Sequence, residues 1–252
     1  MRLAVPFGAA SASSDQVKNM RWPALARNTH KWLALAIGVQ AALWTLSGLY
    51  MTAVHIDIIH GDHLVRHAAP TPIDLTGLVE PGAVMGGQPS ASARLEVQLG
   101  RPVYVVAGGT GRALFDARTG RELSPLGEDA ARARASELFA GAGALKTVEL
   151  LAEAPPEIRG RPAPIWRVEF DGWWRPTLYI SAQTGELVAK RHDLWRMFDV
   201  VWMLHIMDYQ ERENVNNTLL RVATWTAVVS CASGAWLLIF SFRRRRRARK
   251  AA

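Results

Sequence analysis

Cysteine is nearly absent. The chain of 252 residues has one, Cys231, inside an apolar stretch. No disulfide can staple the rest of the chain, so its stability must come from packing. Acidic residues are scarce at both ends. Residues 1–31 carry five Lys or Arg against one acid, Asp15, and residues 243–252 carry seven Lys or Arg and no acid. The stretch 32–242 holds 18 basic and 21 acidic residues, so the net charge of +8 belongs to the two tails. A Gly-rich dinucleotide loop is also missing. Gly108-Gly109-Thr110-Gly111 sits where a hairpin tip is expected, which leaves no flavin or nicotinamide site. No serine or histidine is placed by a nucleophile motif, which argues against a self-contained hydrolase.

What the sequence does have is two long uncharged runs. The first, Trp32 to Val54, has 23 residues and a histidine beyond each end, His30 and His55. The second, Val222 to Phe242, has 21. Each is long enough to cross a hydrocarbon layer of about 30 Å as one helix. A basic C-terminal run can mark a nucleic-acid patch. Directly after an apolar run it reads instead as the cytoplasmic end of a span, and nucleic acid is not expected as a partner. Both tails are therefore expected in the cytoplasm and the middle outside, in the periplasm of a bacterial inner membrane. The first run lacks a small-residue cleavage site and reads as an uncleaved signal anchor.

Composition divides the chain further. Residues 1–27 read as a flexible cytoplasmic tail and 28–67 as the first transmembrane helix with an outward extension. Asn28 or Thr29 would cap that helix. The Pro- and Gly-rich 68–92 reads as a linker. Residues 93–126 and 127–192 form two copies of a repeat, the second with its own helix over 127–140. Each copy reads as strand, turn, strand, turn, strand. Ala117-Arg118-Thr119-Gly120-Arg121-Glu122-Leu123 matches Ala182-Gln183-Thr184-Gly185-Glu186-Leu187, one residue shorter. The glycine supplies the positive φ of the turn. Residues 193–213 read as an interfacial amphipathic helix, 214–242 as the second transmembrane helix capped by Asn216 or Asn217, and 243–252 as a basic cytoplasmic tail. The expected fold is two transmembrane α-helices plus an extracytoplasmic α+β domain with antiparallel sheets.

These pieces resemble the PepSY-associated transmembrane proteins. The matching residues are His30-Lys31-Trp32, Leu46-Ser47-Gly48-Leu49, the turns Asp116 to Gly120 and Ser181 to Gly185, Leu204-His205, and Ser233-Gly234 with Trp236. The likeness covers about residues 27–242. It implies two PepSY-like repeats outside. Larger members look like ferric-siderophore reductases that hold b-type haem on membrane histidines, some with a fused flavoprotein. This chain has two runs rather than four or more and no such fusion, so an electron donor or reductase subunit would come from elsewhere. In other proteins such modules are thought to regulate peptidases or act as sensors.

The histidines carry the chemistry. A b-type haem needs two imidazoles facing across apolar helices. His55 and His205 lie just outside the two spans, at similar depth, and are the candidate pair. His30 lies about 37 Å from His55 along a helix. It would need a copy of itself in a homodimer, or a partner protein. His60, His63 and His67, with Asp57 and Asp62 nearby, have the spacing of a transition-metal site. The bland alternatives are interfacial rings and a solvated helix end. Trp173-Trp174 reads as a hairpin tip that touches lipid or a partner. Two functions follow: a haem-associated electron-transfer component linked to iron handling, or a non-redox accessory protein whose outer domain binds a partner or peptidase.

Overall fold

The computed structural model of the chain describes residues 22–66, 72–86, 91–109 and 111–251. Most of the expected N-terminal tail, and His67, lie outside the described residues. The chain divides into two units: Met1–Gly48 with Met203–Ala252, and Leu49–Trp202.

The first unit is helical. Helix α1 spans Trp22–Ala53, and its stretch Arg27–Ala53 is long and apolar enough to cross a membrane, with a mean hydropathy of 1.5. The helix starts before Asn28 and Thr29, so neither caps it. Pro23 suits a first turn, where its missing N–H costs nothing. Large apolar residues Trp32, Leu35, Val39, Leu43 and Leu46 are exposed along one side. A narrower stripe, with His30, Ile37, Gln40, Trp44 and Ser47, is turned inward at the 3–4 spacing of one helix face. Helix α6 spans Thr218–Ala251. Asn217 caps it, its Oδ1 accepting from Leu220 N at 2.8 Å. The inward stripe of α6 is small or polar: Ala223, Thr226, Ala227, Ser230, Ser233 and Gly234. Before it, the carboxylate of Asp208 gathers the backbone N–H groups of Gln210, Glu211, Glu213 and Asn214 into a tight turn.

The second unit begins with the last turn of α1 and then departs from the expected outward helix. His55 is extended and caps a separate one-turn helix, α2, Ile56–His60. Gly61 ends that helix in the left-handed region at φ +71°, and a 3₁₀ turn covers Asp62–Leu64. His60 and His63 therefore do not share one helical face, because Gly61 turns the chain between them.

The repeat appears as two antiparallel sheets. The first contains β1 (Ser92–Gln98), β2 (Arg101–Gly108) and β3 (Gly111–Asp116), in that order. The second contains β4 (Leu145–Leu151), β5 (Ile165–Phe170), β6 (Thr177–Ser181) and β7 (Leu187–Arg191), also in sequence order. The fourth strand has a remnant in the first copy, where Glu122 bridges to Phe115. The two Thr-Gly turns are built alike. Asp116 Oδ1 accepts from Arg118 N and Thr119 N, and Gly120 N closes on Asp116 O. Ser181 Oγ accepts from Gln183 N and Thr184 N, and Gly185 N closes on Ser181 O.

Alternation along the strands feeds a core on each face of each sheet. Helix α4, Glu128–Leu138, covers one face of the second sheet. Its Ala131 and Ala135 let it approach Trp166, Val168, Leu178 and Ile180 closely. Phe139 stacks on Phe170 with ring centroids 3.8 Å apart. The first sheet has no comparable helix. Leu78, Val79, Val84 and Met85 pack on Tyr104 and Val106 instead, with only a one-turn helix, α3, at Pro81–Val84. Much of the expected linker is thus part of the domain. It is irregular because Gly77, Pro81 and Gly82 interrupt any longer helix. The second Thr-Gly turn joins the sheets. Glu186 pairs with Arg94 and Arg112, and Ser124 Oγ accepts from Leu114 N and donates to Gln183 O.

Helix α5, Asp193–Ile206, is tied to the second sheet by a half-buried polar network. Glu157 accepts from Tyr179 Oη and from Arg196 Nε, the latter at 2.9 Å. Arg196 also reaches Asp193 and Thr177. Burial pushes the Glu157 carboxyl up, but the Arg196 and Tyr179 contacts hold it below its ordinary value. Burial and the Glu157 contact push the Tyr179 phenol up. A depressed carboxylate stabilises the fold above its unfolded-state value and loses that contribution as pH falls through the folded one. Glu157→Gln is expected to cost about 1–2 kcal/mol near pH 7, the solvent-screened end of the range for a broken buried pair. Denaturant unfolding at pH 7 and pH 3 checks this: the difference between variant and parent should shrink on going to pH 3.

Candidate functional site

Two histidines of the first unit meet serines on facing helices. His30 Nδ1 lies 2.7 Å from Ser233 Oγ, and His205 Nδ1 lies 2.7 Å from Ser47 Oγ. Each serine belongs to one of the Ser-Gly steps noted in the sequence. Ser47 Oγ also contacts Leu43 O at 2.7 Å, and Ser233 Oγ contacts Ser230 O at 2.8 Å. A carbonyl only accepts, so a hydroxyl that gives its single proton to the carbonyl takes a hydrogen bond from the imidazole. In that arrangement the ring is the Nδ1–H tautomer. This is how a hydrogen bond on one ring nitrogen presets the other for a metal.

The two sites differ in room. A Cβ built on Gly234 would stand 3.2 Å from His30 Cε1 and 3.6 Å from its Nε2. The His30 ring edge therefore rests on α6, leaving no space there for a flat macrocycle. His205 is held at the end of α5, with Trp44 Nε1 donating to its backbone carbonyl at 2.8 Å. His30 and Ser47, the α1 residue that His205 contacts, are 17 positions apart, about 26 Å along the helix, so His30 and His205 do not share one ligand.

The other histidines belong to the second unit. His55 is exposed, and its Nδ1 faces the amide and the carboxylate of Asp57 at 3.4 Å each. The structure gives it a capping role, and its separation from His205 spans the two units. His60 lines a surface groove of about 280 Å³ with Asp62, Arg161 and Trp195. Asp62 is drawn to Lys190 Nζ at 2.5 Å. His63 meets His192 edge-on, with ring centroids 5.8 Å apart. Among the described residues, no group of three His, Cys, Asp or Glu side chains is placed to hold a metal ion.

His192 is not among the candidate ligands read from the sequence. It is buried at the end of β7, and its Nε2 donates to Ile58 O at 2.9 Å. Gly61 makes room for it, since a Cβ there would meet the ring at 3.1 Å. No spacing signal could reveal this contact between residues more than 120 positions apart. Its only trace was a lone histidine closing a strand.

Burial lowers the affinity of His192 for a proton, and His63 adds to the effect. The unfolded chain therefore takes up the proton more readily. The contribution of the neutral ring is fully present above the unfolded value of 6.5 and is lost as pH falls below it. His192→Gln should flatten the decline in thermal stability between pH 7 and pH 5, read by circular dichroism. An unchanged slope would assign the decline to other groups. Comparisons with family profiles, with curated proteins and with solved structures find no match to this chain.

Proposed function

We propose that the chain is a two-span bacterial inner-membrane protein of the PepSY-associated kind that works as a haem-associated electron-transfer component linked to iron handling. Both tails are cytoplasmic and the central domain is periplasmic. Support for two spans comes from the exposed apolar residues of α1 and from Val222, Trp225, Val228, Val229, Trp236 and Leu238 on α6. Small or polar residues such as Ser47, Thr226, Ser230, Ser233 and Gly234 recur on the inward stripes, as expected of helices that associate in lipid.

The observation that carries the redox reading is the contact of His205 Nδ1 with Ser47 Oγ at 2.7 Å, since a hydrogen bond on one ring nitrogen orients the other toward a metal. Haem b, when bound, would supply a one-electron carrier. His205 would hold the group and Ser47 would fix the ring. The second imidazole is His55 or one from another chain. His30, seated on Gly234, serves first as a polar clasp between helices and enters a haem site only in an assembly that reopens that contact. No flavin or nicotinamide site accompanies them, so a separate donor subunit delivers electrons. The periplasmic domain docks the acceptor or a partner.

A second reading is favoured by one feature of the domain. A groove of about 760 Å³ runs between Arg112, Arg161, Gln183, Glu186 and Val188. Its size suits a partner segment, and a non-redox accessory protein that binds a partner or peptidase would use it.

Purification in mild detergent from haem-replete cells separates the two. The redox reading expects a low-spin b-type spectrum in the reduced protein, lost in His205→Ala and weakened in Ser47→Ala. A colourless preparation without extractable haem contradicts it and leaves the accessory reading.

A further inference from the structure

The hairpin between β5 and β6 ends in Gly172-Trp173-Trp174-Arg175. Trp173 is 84% exposed and Trp174 45%, and their rings meet edge-on at 6.2 Å. A soluble surface seldom leaves two adjacent tryptophans in water. The backbone is held under strain to keep them there. Trp174 and Arg175 both lie at positive φ, +75° and +46°. Side chains with a Cβ seldom adopt this region unless the surroundings enforce it. Two contacts enforce it: Arg175 grips Asp193 through Nε and Nη2, and Asp193 N donates to Trp174 O at 2.8 Å.

Those contacts fix where the tip stands. Asp193 opens α5, and the next residue, Leu194, accepts a hydrogen bond at 3.1 Å from Tyr50 Oη. Tyr50 is three residues from the end of the stretch long enough to span a membrane. The path from the Tyr50 hydroxyl to the Trp174 carbonyl is thus two hydrogen bonds and one residue, about 10 Å. Met197 and Val200, also exposed, follow Asp193 at i+4 and i+7 and share its helix face. Trp is the residue that settles at the head-group level of a bilayer.

We infer that Trp173 and Trp174, with Met197 and Val200, form a lipid-contacting foot that seats the central domain on the outer membrane interface. It rests on the membrane reading above. The occupant is the bilayer interface, because the foot is tied to the exit of α1. The foot fixes the tilt of the domain relative to the membrane.

The test uses the full chain in nanodiscs with Cys231→Ser and single cysteines carrying a polarity-sensitive fluorophore. The sites are Trp173→Cys, Met197→Cys with both tryptophans intact, and Leu43→Cys on the exposed side of α1. Nitroxide at the lipid head group should quench the probes at 173 and 197 at least twofold more than nitroxide deep in the acyl chains, with a blue-shifted emission. The probe at 43 should show the reverse depth order. If 43 is quenched by deep nitroxide but 173 and 197 stay open to aqueous iodide, the foot is refuted and the membrane reading stands. If 173 and 197 are shielded from both quenchers, a protein covers them and the foot is refuted. If 43 itself escapes lipid nitroxide, the membrane reading fails and the foot with it.

Discussion

A histidine turned into the seam between helices must find its hydrogen-bond partner inside the protein, because packed side chains exclude water. The helical unit is arranged around that constraint. His30 and His205 each reach a serine whose hydroxyl also contacts a carbonyl of its own helix. A hydroxyl that gives its one proton to that carbonyl leaves the imidazole as the donor. The same small-residue steps that admit the imidazoles also allow backbones to come close, so the clasp and the packing are one feature. Gln40, midway along the inward stripe, shows the cost of breaking the rule: its buried Nε2 has no partner.

The central domain solves a different problem, which is to be stable without disulfides. Each Thr-Gly turn is closed by a side chain at its first position, Asp116 or Ser181, and the second turn also links the sheets. Polar contacts that cross elements, chiefly Glu157 with Tyr179 and Arg196, tie α5 to the sheet. The last turn of α1 joins the same framework through Tyr50.

The periodic features were legible in the sequence. Both repeats, three strands of each, the helix after Gly127 and the Asn217 cap can be read from residue patterns, since they depend on neighbours in the chain, whereas the fourth strand β7 was not read from them. The outward continuation of α1 could not be, because it turns on the backbone state of two residues. His55 takes an extended conformation and Gly61 a left-handed one. The covering of the first sheet by 72–86 was hidden behind its proline and glycine content. The contacts of His192 with Ile58 and His63, and of Glu157 with Arg196, join distant segments that only the finished fold brings together. Of the candidate ligands, the sequence located His30 and His205 correctly on helices, but the serines that set their protons emerged from the structure.

The central claim is that these serines fix the two helix histidines as Nδ1–H tautomers. Nitrogen-15 solid-state NMR of histidine-labelled full-length protein in lipid, with His30→Gln and His205→Gln for assignment, measures it directly. The account predicts a protonated Nδ1 and an unprotonated Nε2 for both rings in haem-free protein. A protonated Nε2 on His205, or a doubly protonated ring, would contradict it.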